Sequence, residues 1–390
     1  MTVTDRPTYP HVRVEGGPRE RGRAYGHQAR SRVERSVEAY REVFRHLAGW
    51  DWAEVRDCAR TYEEPIRAFG PAYLEEVRRI AEGAGLDPLD VLAINVRTEI
   101  MYAAAARDAA VARRVGECTA FALLPAPGSD QSLVVGQNWD WLPHAFDTVV
   151  VLEADRDDGP NFVTAVEAGL LSKAGMNAHG LALATNALAS EDDKGEPGVP
   201  YHVLLRAILD CDSVTAAFTT LQRARRSSSA NYLVGHQDGS CLDVEAAPGD
   251  YSWLFLPDPH TGAYLHTNHF LASRFDGFDV SLFAMPDSPA RLNRIRSGVD
   301  RLGPAATREA VTAVLADHAG YPNSICCHPV ESDPAPEQGA TVVSLVMEPA
   351  SRSMWLADGP PCTTPCRHLD YRDLLADPLG APTPEETLVP

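Results

Sequence analysis

The sequence predicts an α+β protein, and three features carry that prediction. Its first hundred residues repeat apolar positions at helical spacing. From Cys118 onward the pattern shifts to short apolar runs separated by turn residues. Four helical stretches then interrupt those runs, the alternation of strand and helix blocks that builds a layered core.

Taken in order, Val33, Val37, Tyr40, Phe44 and Leu47 share one helical face, with arginines and glutamates between them. A second helix is expected from about Trp52 to Phe69, kinked at Pro65. A third, roughly Ala72 to Glu82, stops at Gly83 and Gly85. Asp87 before Pro88 reads as an N-cap with proline at the first helical position, opening a helix through Met101. Arg19, Arg21 and Arg23 alternate with glutamate or glycine, as in a solvated helix start.

Strands are expected at 119–125, 132–139, 147–154, 161–167, 173–176, 181–186, 231–235, 241–245, 252–256, 263–267, 341–347 and 353–356. Helices are expected near 200–211, 213–225, 288–302 and 306–318. Asn177-Ala178-His179-Gly180 and Gln237-Asp238-Gly239-Ser240 mark hairpin turns. Pro378, Pro382, Pro384 and Pro390 mark a frayed tail.

A chain of 390 residues with 44% hydrophobic content can bury a sizeable core. Its formal net charge of −19 repels nucleic acid and anionic membranes, so neither is expected as a partner. No apolar stretch escapes interruption by charges for long enough to span a bilayer. The opening Met-Thr-Val-Thr-Asp-Arg-Pro lacks an apolar secretory core, so a cytoplasmic location with reduced thiols is expected for the eight cysteines.

One cysteine stands apart by its surroundings. Cys118 opens a strand, a polar turn follows at Pro127-Gly128-Ser129-Asp130, and a second strand delivers Asn138 and Asp140. Such a hairpin brings its far ends together and sets Asp140 beside Cys118. If the Glu117–Cys118 bond is cut, Cys118 carries both a thiol and a free α-amine. The thiolate attacks, and an amine with a pKa of about 7.7–8.0 serves as its base. The plainer reading of Cys118 is a small buried apolar residue on a core strand.

Further segments are Arg97-Thr98-Glu99, Gly136-Gln137-Asn138-Trp139-Asp140, Glu167-Ala168-Gly169, Gly175-Met176-Asn177, Gly180-Leu181-Ala182 and Asn186-Ala187-Leu188. Ser229-Ala230-Asn231-Tyr232, His266-Thr267-Asn268-His269, Tyr321-Pro322-Asn323-Ser324-Ile325-Cys326 and Gly339-Ala340-Thr341 follow. In order and spacing, from about residue 12 to about residue 360, the chain resembles the penicillin acyltransferase family of self-processing cysteine hydrolases and acyltransferases. That family belongs to the N-terminal-nucleophile class.

The resemblance implies a four-layer αββα sandwich: two stacked antiparallel sheets between helical layers, with residues 1–117 a helical N-terminal segment and 118–390 the catalytic core. It implies self-cleavage between Glu117 and Cys118, the cleaved N-terminal chain remaining as a partner. Asp140 would hold the new α-ammonium or a water. Asn268 would donate to the oxyanion, an uncharged donor suiting that task. Ser229 would act in processing or acyl handling, and Trp139, Thr185 and Asn186 would line the pocket. The substrate expected is a small acyl amide or acyl thioester, with an amine as a possible acceptor, and no metal or organic cofactor is expected.

Two departures bear on substrate. The family's best-known member has glycine where this chain has Glu117, and arginine where it has Cys327. The missing arginine and the acidic charge favour amide hydrolysis, or transfer to a small amine, over an acyl-CoA-dependent N-acyltransferase of secondary metabolism. Two rival readings remain. One is a papain-like protease using Cys118, His266 or His269, and Asn268 without self-cleavage. It lacks the local signature around its cysteine, which begins a strand. The other is a zinc module from Cys326-Cys327-His328 and Cys362 to His368. Ligand type suits zinc, but adjacent Cys326 and Cys327 chelate poorly, and structural cysteines are expected there instead.

Overall fold

Two β-sheets lie face to face, and helices cover both outer surfaces. The computed structural model describes residues 8–107, 117–303 and 306–376, the side chain of Glu117 excepted. The proline-rich tail expected to fray lies outside these residues.

The strands are β1 (His11–Glu15), β2 (Glu117–Leu123), β3 (Val134–Trp141), β4 (Val149–Asp155), β5 (Phe162–Glu167), β6 (Ala174–Asn177), β7 (Leu181–Ala187), β8 (Ala230–His236), β9 (Cys241–Ala246), β10 (Leu254–Phe255), β11 (Ala263–His266), β12 (Ala340–Glu348), β13 (Ser353–Ala357) and β14 (Arg367–Asp370). One sheet has the order β1-β4-β5-β6-β7-β8-β9-β10 and the other β11-β2-β3-β12-β13-β14.

Helices α1 (Pro18–Gln28), α2 (Arg30–Val43), α3 (Trp52–Arg60), α4 (Glu63–Phe69), α5 (Pro71–Ala84), α6 (Pro88–Asn95) and α7 (Arg97–Arg107) precede the nucleophile region. After it come α8 (Ala145–Thr148), α9 (Tyr201–Leu209), α10 (Val214–Arg223), α11 (Ser281–Ala284), α12 (Ser288–Leu302) and α13 (Arg308–Leu315). No helix among the described residues is long and apolar enough to cross a membrane.

The layers follow from strands that are apolar on both faces. In β4, Val150, Leu152 and Ala154 pack with the helices, while Val149 and Val151 pack between the sheets. Such double burial explains the unbroken run Val149-Val150-Val151-Leu152. A third cluster sets Leu292, Ile295 and Val299 of α12 and Val311 and Leu315 of α13 against the far side of the second sheet. This is the αββα sandwich that the resemblance implies.

The N-terminal segment is not purely helical. Its strand β1 joins the first sheet beside β4 in a parallel ladder, where only antiparallel pairing was expected. The segment thereby supplies both an edge strand and most of one helical layer. The expected kink at Pro65 is instead a break at Thr61–Tyr62, with Pro65 in the first turn of α4, where its missing N–H costs nothing. Likewise Val96 separates α6 from α7, and Asp87 caps α6 by accepting from the N–H of Leu89. Helices α1 and α5 meet so closely that a Cβ on Gly26 would lie 2.0 Å from the Ile80 carbonyl oxygen, and one on Gly83 2.1 Å from that of Arg23.

Arg21 is buried and not solvated, correcting the sequence expectation. Its guanidinium donates to both oxygens of Glu76, at 3.1 and 2.7 Å, and to Asp158 at 2.9 Å. Arg206 reaches Glu76 as well, at 3.0 Å. Burial opposes the Glu76 charge, yet Arg206 and Arg21 outweigh it and hold the carboxyl below its usual range. Arg97 plays a similar part. It pairs with buried Glu167, which also accepts from Tyr40 at 3.0 Å, tying the helical layer to the end of β5.

Candidate active site

The site forms where the β11–β2 ladder ends. The register pairs His266 with Ala120 and stops there. Two residues further on each strand, Asn268 stands opposite Cys118, and it offers its side chain in place of a backbone partner. The Cys118 N–H donates to Asn268 Oδ1 at 2.7 Å. The Cys118 carbonyl accepts from Asn186 Nδ2 at 3.0 Å and from Arg291 Nη1 at 2.8 Å. Arg291 also donates to Asn268 Oδ1 at 3.0 Å, and its Nε to Asp287 Oδ2 at 2.6 Å. All three clamping residues are buried.

On its other side β2 pairs with β3, setting Cys118 opposite Trp139 and Glu117 opposite Asp140. The expected proximity of Asp140 to Cys118 is present. The backbone N–H of Asp140 hydrogen-bonds the Cys118 sulfur, while its Oδ1 accepts from Thr341 Oγ1 at 2.5 Å. The segment 137–140 alternates its duties as a strand must. Gln137 accepts from the Thr185 N–H of the facing sheet at 2.7 Å. Asn138 donates outward to the carbonyls of Leu315 and Ile325, at 2.9 and 2.8 Å.

Asn268 sits differently from its expected orientation. In the intact chain its carbonyl oxygen faces Cys118 and Arg291, both donors, and its Nδ2 donates to the Ala187 carbonyl at 2.9 Å. Asn186 grips the main chain of Cys118. Thr185 binds the Tyr201 hydroxyl at 2.7 Å and the Asn231 carbonyl at 2.6 Å. Ser229 belongs to a neighbouring cluster. Its hydroxyl donates to Ser190 Oγ at 3.1 Å and its N–H to Asp193 Oδ1 at 2.8 Å. Burial raises the Asp193 carboxyl to about 6.

The papain-like arrangement is not assembled. Both ring nitrogens of His266 are engaged, Nδ1 with the Thr267 carbonyl at 2.7 Å and Nε2 with Glu245 at 2.8 Å. His269 faces Ser288 Oγ at 2.7 Å, and burial lowers its pKa to about 4.

Two residues escaped the sequence reading. Arg291 resembles the other arginines of its amphipathic helix, and nothing local distinguishes it. Lys173 did leave a signal. It and Lys194 are the only lysines among 35 basic residues, and Lys173 interrupts the apolar run Leu170-Leu171-Ser172-Lys173-Ala174. Its ammonium lies over the rings of Trp139 and Tyr201, 5.0 and 5.4 Å from their centroids. No carboxylate is within ion-pair distance of it among the described residues. Burial lowers the Lys173 pKa to about 8 and raises the Cys118 thiol to about 11, with the Lys173 charge opposing the latter shift.

The profile of the family described as acyl-coenzyme A:6-aminopenicillanic acid acyl-transferase matches residues 127–361. The chain belongs to this family. The acyl-coenzyme A:6-aminopenicillanic-acid-acyltransferase 40 kDa form of Emericella nidulans is similar to it, 26% identical over 355 residues, covering 90% of this chain and 93% of that relative. Among solved structures, a variant conjugated bile acid hydrolase from Clostridium perfringens is 14% identical with a TM-score of 0.45, over 67% of this chain and 95% of that one. The N-acylethanolamine-hydrolyzing acid amidase ortholog of Caenorhabditis elegans is 14% identical with a TM-score of 0.44, over 60% of this chain and 93% of that one.

Within this acyltransferase family, the chain's Cys327 meets the site through its main chain. Its N–H donates to Thr341 Oγ1 at 2.9 Å, and its carbonyl accepts from the Thr341 N–H at 3.0 Å. Two cations, Arg291 and Lys173, stand at the buried centre, one on the Cys118 carbonyl and one over the Trp139 ring. Replacing Lys173 by methionine should slow alkylation of Cys118 by iodoacetamide at pH 7 by about tenfold, the effect of about one pKa unit. The gap between wild type and variant should narrow as pH rises past about 8, where Lys173 loses its proton. Peptide mass spectrometry of Cys118 reads both effects, and equal rates at pH 7 contradict the coupling.

Proposed function

We propose that this acyltransferase-family chain is a self-processing cysteine amidohydrolase or acyltransferase with Cys118 as nucleophile. The supporting observation is the clamp on Cys118: Asn268 on its nitrogen, Asn186 and Arg291 on its carbonyl, and the Asp140 N–H on its sulfur. Holding every polar atom of one strand residue with buried groups fixes the attack geometry in advance.

In the first act Cys118 Sγ attacks the Glu117 carbonyl carbon. A C–S bond forms, the peptide C–N bond breaks, and the Cys118 nitrogen takes a proton as the thiol gives one up. Water hydrolyses the thioester, releasing the Glu117 carboxylate and the thiol, and leaves chains 1–117 and 118–390. The small chain stays bound, because β1 and α1–α7 are built into the sandwich.

In the second act Cys118 attacks a substrate acyl carbon with its α-amine as base, that amine held by Asn268 Oδ1. The Asn268 amide and a backbone N–H near Asp140 stabilise the oxyanion. Asp140 orients the amine or a water, Ser229 and its Ser190–Asp193 cluster serve the processing step, and Trp139, Thr185 and Asn186 bound the acyl site. The adduct collapses, its bond to the leaving amine or thiolate breaks, and the α-ammonium returns its proton to that group. The thioester acyl group then passes to water or to an amine, which frees the Cys118 thiol.

Purified protein should give two fragments that co-elute, the larger beginning at Cys118, whereas Cys118→Ala should stay a single chain. A wild type that remains intact and still turns over substrate contradicts the amine as base.

For substrate, a small N-acyl amide is the first reading. The N-terminal arginines offer no pocket for the phosphates of coenzyme A: Arg21 is committed to Glu76 and Asp158, Arg19 to Glu75 at 2.8 Å, and Arg23 to Glu82 at 3.5 Å. An acyl-CoA-dependent N-acyltransferase is the second reading, favoured by the name of the Emericella relative. An N-acyl amide should show kcat/KM at least equal to that of the matching acyl-CoA. A strong preference for the thioester, lost as salt rises, selects the second reading.

A further inference from the structure

We propose that His318, Cys326, His328 and Cys362 form a zinc site beside the catalytic sheet. One ligand atom from each residue lies within 4.8 Å of all the others. Three contacts converge on a single ring nitrogen, His328 Nε2: His318 Nε2 at 3.1 Å, Cys326 Sγ at 3.5 Å and Cys362 Sγ at 3.5 Å. An imidazole nitrogen carries at most one hydrogen, so hydrogen bonding accounts for one such contact well. A cation at the centre accounts for all three.

The three spacings to His328 Nε2 match the edges of a tetrahedral site. With Zn–N of about 2.0–2.1 Å and Zn–S of about 2.3 Å, tetrahedral edges are about 3.3 Å between nitrogens and about 3.5 Å between nitrogen and sulfur. Two thiolates and two imidazoles suit a borderline-soft divalent ion, and the four-residue group contains no carboxylate to favour magnesium or calcium. All eight cysteines carry free thiols, so Cys326 and Cys362 are available as ligands.

The ligand set differs from the one considered from sequence. Cys327, adjacent to Cys326, stays out and pairs its main chain with Thr341. His368 stacks on Trp355, with centroids 4.8 Å apart, and faces Ser353. In their place come His318, just past α13, and Cys362, from the connection between β13 and β14. The poor chelate spacing of neighbouring cysteines therefore does not apply.

Hydrogen bonds within the loop present these groups to one another. The Cys326 N–H donates to the Asp317 carbonyl at 3.0 Å, the His328 N–H to that of Pro322 at 3.0 Å, and Ser324 Oγ to that of Cys326 at 2.7 Å. The 360–364 turn that carries Cys362 closes on the Pro360 carbonyl, which accepts from the Thr364 N–H at 3.0 Å. An ion there fastens the 317–328 loop to the C-terminal strands. The same loop touches the site through Asn138 to Ile325 and through Cys327 to Thr341, whose hydroxyl holds Asp140. The zinc is thus structural and stands outside the chemistry at Cys118.

Elemental analysis of the full-length protein, purified under reductant with zinc in the growth medium, should find one zinc per chain. Cys362→Ser and His318→Ala should lose it, and Cys366→Ser, outside the cluster, should keep it. Cobalt added to chelator-treated wild type should give the visible bands of tetrahedral cobalt with thiolate ligands, which tests the site even where a variant fails to fold. Wild type that neither retains zinc nor gives those bands overturns the proposal. So does full zinc content in Cys362→Ser, or a Cys326–Cys362 disulfide in protein kept reduced.

Discussion

Everything at the candidate site depends on where one β-ladder stops. Strand β11 leaves β2 after His266 pairs with Ala120, and two positions further in register stand Asn268 and Cys118. A backbone N–H and carbonyl buried without partners cost several kcal/mol between them. Side chains meet that demand instead of strand, and they come from three parts of the chain: Asn186 from β7, Asn268 from just past β11, and Arg291 from α12. Two stacked sheets and an outer helical layer must all be in place before Cys118 is satisfied. The sandwich and the site are therefore one construction.

Much of this was legible in the sequence. The strands at 149–155, 162–167 and 340–348 were clear because doubly buried strands are continuously apolar and turns bound them sharply. The β2–β3 hairpin followed from its turn and placed Asp140 beside Cys118. What escaped depended on contacts distant in the chain. Strand β1 is short and reads as polar, and it is a strand because β4 offers an open edge. Arg21 looked solvated because its partners, Glu76 and Asp158, lie 55 and 137 residues away. Arg291 carries no local mark at all. Lys173 did carry one, a lone lysine in an apolar run.

Asn268 illustrates the limit of assigning a role from residue type alone. An asparagine offers both a donor and an acceptor, and sequence favoured the donor. In the intact chain the acceptor faces Cys118, set by two donors that meet it, the Cys118 N–H and Arg291. Buried charge is managed in the same economical way throughout. Glu76 is shared by two arginines, Glu167 by Arg97, Tyr40 and His144, while Lys173 lies over aromatic faces. Removing one partner from such a buried set strands the other, which costs about 3–5 kcal/mol.

The central claim, that Cys118 carries the acyl group, is tested most directly by trapping it. Rapid quenching during turnover of an N-acyl amide, followed by peptide mass spectrometry, should find the acyl mass on the peptide that begins with Cys118. Hydroxylamine should release it, as it does a thioester. An acyl group found on another residue, or turnover unchanged in Cys118→Ala, would contradict the account.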